Sequence, residues 1–197
     1  DYRGKLKIST LLSDLSKANK RNVFILHLLT NLVKLNRKIL ILSQSRAHLE
    51  NIKQQIEELK LATAGLYMGG MKTHQLELSK TKDILLATYS MASEAFDHKV
   101  LSILVMITPR VTIEQSIGRV LRDKNITPLI IDISDQVLIH QSQVRKKFYR
   151  SRNYTIEEFN VIDNEISEKN TRKYIRKSNI PKILNEVNNS RLDSDSD

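Results

Sequence analysis

The chain has 197 residues and no cysteine, which excludes disulfides and thiolate metal sites and fits a reducing, intracellular setting. Forty per cent of the residues are hydrophobic (40%), enough for one globular domain with a core and some appendages. Against 22 Asp+Glu stand 32 Lys+Arg, a net charge of +10 that draws polyanionic partners. The five histidines show no metal-ligand spacing, so no metal site is expected. No apolar run approaches the about 20 residues needed to cross a bilayer, so no membrane partner is expected, and no signal-peptide pattern opens the chain. A start at Asp1 without methionine fits a piece of a longer protein.

Residues 8–36 read as helical, with the strongly apolar "VFILHLLTNLVKL" packed on whatever follows. Five short apolar runs come next: "KILIL" (38–42), "AGLYM" (64–68), "DILLAT" (83–88), "LSILVMI" (101–107) and "PLIIDIS" (128–134). Several lack polar alternation, the mark of strands covered on both faces and hence of a parallel sheet. Between the first two, Leu49, Ile52, Ile56 and Leu59 repeat at helical spacing. Alternating strands and helices in a unit of this size predict an open α/β sandwich.

Between the fourth and fifth runs, "TIEQSIGRVLR" predicts a helix over 112–122. Thr112 with Gln115 three residues on fits a capping box. At about 100° per residue, Gln115, Arg119 and Arg122 share one narrow face, while Ile113, Ile117, Val120 and Leu121 form the opposite, core-facing one. Two long cations and an amide therefore point outward from an anchored helix. Further on, "QVLIHQSQVRKKFYRSRNY" predicts a basic helix packing through Val137, Gln141, Val144 and Phe148, with Arg145, Lys146, Lys147 and Arg150 around that stripe. "TIEEFNVI" reads as an added edge strand, and from Asp163 the chain becomes a polar, Asn-rich tail.

Ligands of parallel α/β sheets bind beyond the carboxyl ends of the strands, where "SQSR" (43–46), "TYSMASEAFD" (88–97) and "TPRVTIEQSIGRVLR" (108–122) fall. "ILLATYSMASEAFD" followed by "TPRVTIEQSIGRVLR" resembles motifs V and VI of superfamily 2 helicases. "KILILSQSRAHLENI" is similar to their motif IV and "GLYMGGMK" to their motif IVa. The wording is especially similar to DExH-type helicases of large DNA viruses, the poxvirus-type transcript-release group. The likeness covers about residues 20–160 and departs in one place: Ala95 stands where relatives usually carry the glycine of Ser-Glu-Gly-Phe-Asp.

The resemblance implies a RecA-like open parallel sheet flanked by helices, with a basic C-terminal helical extension and a polar tail. It divides the chain into an N-terminal helical segment (1–36), a helicase C-terminal lobe (37–162) and the tail (163–197). It implies ATP in a cleft between two lobes, with Arg119 and Arg122 as arginine fingers on the γ-phosphate and Gln115 positioning the attacking water or that phosphate. Planar guanidinium forks suit phosphate oxygens. Asp97 and Glu94 would lie near the nucleotide, and Gly118 would let the helix approach the other lobe. Ser43, Arg46, Gly69, Gly70 and Thr88 would grip one strand of DNA or RNA, single-stranded or partly duplex.

Neither a Gly-x-x-x-x-Gly-Lys-[Ser/Thr] loop nor an Asp-Glu-x-His box occurs in the 197 residues. ATP and its Mg2+ are therefore expected to be held mainly by an N-terminal lobe of the same polypeptide, this piece alone being inactive in hydrolysis. A viral origin implies the host-cell cytoplasm or the virion.

Plainer readings stand beside these. The arginines are an ordinary solvated helix face, Asp97 a turn carboxylate, Ser43 a cap for the following helix, and "RKKFYRSR" either a solvated surface or a strand contact. His48, His74, His98 and His140 read as surface or packing residues, and Met68 and Met71 as fillers of packing space. The rival functions are a nucleic-acid-binding domain that hydrolyses nothing and a flavodoxin-like interaction domain.

Overall fold

A computed structural model of the chain describes residues 7–94, 101–110, 112–114, 117–118, 127–162 and 165–168. Two helices open it, α1 (Ile8–Lys17) and α2 (Asn19–Val33). Then β1 (Lys38–Ser43), α3 (Arg46–Glu58), β2 (Ala64–Tyr67), α4 (Thr73–Lys80), β3 (Ile84–Thr88), α5 (Tyr89–Glu94), β4 (Leu101–Met106) and β5 (Leu129–Asp132) follow. A 3-10 turn at Gln136–Leu138 leads into α6 (Ile139–Ser151), and a hairpin of β6 (Phe159–Ile162) and β7 (Glu165–Glu168) comes last.

Strands β1 to β5 form one sheet in the order β2-β3-β1-β4-β5, every pair parallel. All five apolar runs of the sequence are its strands. Their side chains alternate between two cores, which is why the runs read as continuously apolar. Ile39, Ile41, Ile84, Leu86, Ile103 and Val105 face one layer with Ile25, Leu29 and Leu32 of α2 and Leu49, Ile52 and Ile56 of α3. Leu40, Leu42, Leu85, Ala87, Leu104 and Met106 face the other, with Tyr89 of α5, Ile113, Ile117 and Tyr149 of α6. Met68 is buried in the first layer and Met71 packs against it, as their packing reading has it.

Helix α4 lies so close on β2 that a Cβ built on Gly65 would sit 2.7 Å from the Ser79 Cα. Only glycine allows that approach. The "TIEEFNVI" stretch does form a strand, but β6 does not extend the large sheet. It pairs antiparallel with β7 as a separate two-stranded unit, so the added edge strand of the sequence reading is replaced by a local hairpin.

The stripe on α6 is one residue out of step with the sequence reading. Leu138, Ser142, Arg145 and Tyr149 are the buried positions, and Val137 is 61% exposed. Periodicity assigns a face by apolar residues, and here a charged side chain takes the deepest place. Arg145 is 1% exposed because Asp132, closing β5, accepts from its Nε and Nη2 at 2.7 and 2.8 Å. Tyr149 Oη donates to the same carboxylate at 3.0 Å. Arg145 is thus a structural cation and not a strand contact.

Candidate nucleic-acid interface

Parallel strands place all their carboxyl ends on one edge, and four of those ends build a groove of about 370 Å³. Gln44 and Arg46 come from the end of β1 and the start of α3, Gly69 from beyond β2, Thr88, Tyr89 and Ser90 from the β3–α5 junction, and Arg110 from beyond β4. Three of the residues expected to grip a strand, Arg46, Gly69 and Thr88, are therefore brought together. Among the described lining residues none is a carboxylate.

Ser45 sits at the N-cap of α3, its Oγ accepting the His48 N–H at 3.2 Å, so the exposed Arg46 leads the helix with the first amide groups beside it. Helix N-termini carry partial positive charge and free N–H donors. Thr88 and Ser90 hydroxyls lie 3.2 Å apart. Gly70 takes φ +82°, with nothing within 4 Å of a built Cβ, a turn that brings the Gly69–Gly70 backbone to the surface.

Ser43 is a correction. Its side chain is fully buried and its Oγ accepts the Ser45 N–H at 3.1 Å. It braces the β1–α3 turn from below, neither lining the groove nor capping α3, which Ser45 does.

The floor of the groove is held by the segment after β4. Gln44 N–H donates to Thr108 Oγ1 at 2.8 Å, and its side-chain amide donates to the Pro109 carbonyl. Tyr89, 1% exposed, donates its hydroxyl to the Thr108 carbonyl at 2.6 Å. Burial pushes the Tyr89 phenol well above its ordinary value, with the Asp132 carboxylate adding to the effect. It stays a donor. Arg145 Nη1 reaches the Arg110 carbonyl at 3.4 Å.

Directly after this segment the backbone turns helical. Ile117 N–H donates to the Ile113 carbonyl at 2.9 Å, and both isoleucines are buried (2% and 1% exposed). That is the inner face expected of the 112–122 helix. Gly118 is exposed, with open space beyond a built Cβ. Gln115, Arg119, Arg122, Asp97, Val120, Leu121 and Ala95 lie outside the described residues, as does the Glu94 side chain. Arg152 pairs with Glu114 at this helix start.

No protein-family model matches the chain. Two viral proteins, each named "Putative ATP-dependent RNA helicase", do match it. The one from Acanthamoeba polyphaga mimivirus is 32% identical over 180 residues, 86% of this chain and 34% of its own length. The chain is a homologue of these viral proteins. The second, from African swine fever virus (isolate Tick/Malawi/Lil 20-1/1983), is 29% identical over 105 residues, 50% of this chain and 21% of its own. The chain thus spans about a third of the first relative and about a fifth of the second.

Among solved structures, T4 UvsW matches this helicase-like domain at TM-score 0.61 and 22% identity, over 78% of this chain and 37% of that one. The C-terminal domain of the DEAD-box protein Dbp5 matches at 0.52 and 17%, over 66% and 79%. These likenesses concern the fold, the RecA-like α/β architecture of a helicase C-terminal domain.

Sequence reasoning missed Gln44, Tyr89, Ser90 and Arg110. Their signal was available: each falls within two residues of the carboxyl end of a strand or closely follows one, and "TPR" was already part of the quoted motif. Among the described residues no three His, Cys, Asp or Glu side chains gather into a metal-holding group. No described helix is long and apolar enough to cross a membrane.

Proposed function

We propose that this chain is the C-terminal lobe of an ATP-dependent superfamily 2 helicase or translocase. In this reading the groove grips the sugar-phosphate chain of one strand, and the 112–122 helix presents Arg119, Arg122 and Gln115 to ATP held with Mg2+ mainly by an N-terminal lobe of the same polypeptide. The observation that carries it is the meeting of Arg46, Gly69 and Thr88 in one groove beside Arg110, on the sheet edge where the Ile113–Ile117 turn is anchored. Backbone-directed groups of this kind bind phosphates without reading sequence, so DNA and RNA both remain substrates; the names of the relatives favour RNA.

ATP supplies the free energy that alternates the two lobes between grips. What this chain contributes is charge: the arginine face neutralises phosphate oxygens, and the exposed Gly118 leaves room for the other lobe. Asp97 and Glu94 complete the nucleotide side. Residues 1–36 serve as a cover for one sheet face, 37–162 as the lobe, and 163–197 as a polar tail. As a viral protein it would act in the host-cell cytoplasm or the virion.

The test is Arg122→Ala in the two-lobed protein. Hydrolysis should fall by at least about a hundredfold, the scale of a lost phosphate-stabilising group, while strand affinity holds. Unchanged hydrolysis with weakened strand binding would instead assign Arg122 to the strand, and a two-lobed wild type without hydrolysis would leave a nucleic-acid-binding domain.

A further inference from the structure

Seven arginines lie among the described residues, and most are spoken for. Arg21 pairs with Asp135, Arg37 donates to Ser102 and Thr127, Arg145 pairs with Asp132 and Arg152 with Glu114. The guanidinium groups of Arg46, Arg110 and Arg150 have no hydrogen-bonded or ionic partner among the described residues, and two of these three line the groove. Arg110 differs from Arg46 in how it is held. Its guanidinium carbon lies 5.3 Å from the centroid of the buried Tyr89 ring, within cation–π range. Its own backbone follows Thr108 and Pro109, which are tied to Gln44 and Tyr89. An arginine whose guanidinium lies over a buried ring and whose backbone adjoins tied residues, yet which has no anion among the described residues, is prepared to receive one: the ring leaves donors of the fork free, and less rotamer freedom remains to be lost on binding.

Resting on the groove reading above, we infer that Arg110 is a phosphate ligand of the bound strand, presented on the face of Tyr89 and facing the same groove as Arg46. The ligand class is a phosphodiester, met by the guanidinium edge through charge-assisted hydrogen bonds. Because Thr112 and the Ile113–Ile117 turn follow within a few residues, this ligand sits closer in sequence to the nucleotide-facing helix than any other residue of the groove.

The experiment measures binding of a labelled oligo-uridine strand by the full protein across a salt series, for wild type, Arg110→Gln, Arg110→Lys and Arg46→Gln, with thermal melting of each. Arg110→Gln should weaken binding about tenfold and flatten the log–log salt slope by about 0.7, the release expected for one single-strand phosphate contact. Melting should be unchanged, and Arg110→Lys should restore the slope but only part of the affinity, since lysine does not stack as a planar fork. An unchanged affinity and slope in Arg110→Gln, with Arg46→Gln impaired, overturns the inference and leaves the groove reading standing. A lowered melting point with an unchanged slope also overturns it, making Arg110 a brace for Tyr89. If neither Arg110→Gln nor Arg46→Gln alters binding, the groove reading itself falls.

Discussion

Asp132 accepts from two nitrogens of Arg145, at 2.7 and 2.8 Å, and this pair fastens α6 to the end of β5. Arg145 is 1% exposed at the side chain and Asp132 16%. Taking away one member of a buried pair strands the other's charge, at a cost of about 3–5 kcal/mol. Arg145→Met should lower stability on that scale, read as a drop in the urea midpoint. Adding Asp132→Asn to it should recover part of the loss, because the orphaned carboxylate is gone. A single variant that melts like wild type would show the pair to be ornamental.

His48 gives a pH signature. It is 1% exposed, Nε2 meets the Asn22 side-chain oxygen at 2.9 Å, and Nδ1 is buried without a partner. Burial, with the Arg21 cation adding to it, pushes its pKa down from 6.5 to about 4. A depressed folded-state value means the unfolded chain takes up the proton first. Stability is therefore full above about pH 6.5 and erodes as pH falls from there to about 4, by on the order of 3 kcal/mol in all. Urea midpoints measured over that window should slope downward in wild type, and the His48 part of the slope should vanish in His48→Gln. Parallel slopes in the two proteins would contradict this.

Two glycines should respond oppositely to the same change. Gly65→Ala drives a methyl into the Ser79 backbone at 2.7 Å, and overpacking of this kind costs about 1–3 kcal/mol. Gly118→Ala adds its methyl to open space on a helical turn, where alanine is favoured by about 0.5–1 kcal/mol. Calorimetric melting should fall for the first and hold or rise for the second. If Gly118 serves lobe docking, the stable Gly118→Ala protein should still hydrolyse ATP more slowly.

Ser45 offers a local test of the groove. Removing its cap hydroxyl from α3 costs about 1 kcal/mol, and amide hydrogen exchange in the first turn, at Ala47 and His48, should speed up in Ser45→Ala while the strands stay protected. Uniform acceleration across the sheet would mean the cap acts on the whole fold.

Much of this was legible in the sequence because the sheet is buried on both faces. Ile39 through Leu42, facing alternate cores, leave an uninterrupted apolar signature that alternation rules assign to a parallel strand. The inner face at Ile113 and Ile117 followed from spacing alone. Helix α4 was not read, since Leu78 is 60% exposed and its packing rests on Gly65, a residue with no side chain to show it. Arg145 was misread for a physical reason: a charge goes inside only when a partner waits there, and Asp132 lies thirteen positions away on another element. Ser43 failed likewise, because a strand-end hydroxyl points to a ligand or to its own turn with the same one-letter code. Tyr89 and Arg110 required three-dimensional proximity to be seen as one unit.

Thr108, Pro109 and Arg110 take ties from Gln44 just beyond β1, from α5 and from α6 on three successive residues. A stretch of main chain moored from three directions has no slack of its own. Where the groove ends and the Ile113–Ile117 turn begins, the two share a single short splice, so a change that retunes one end detunes the other.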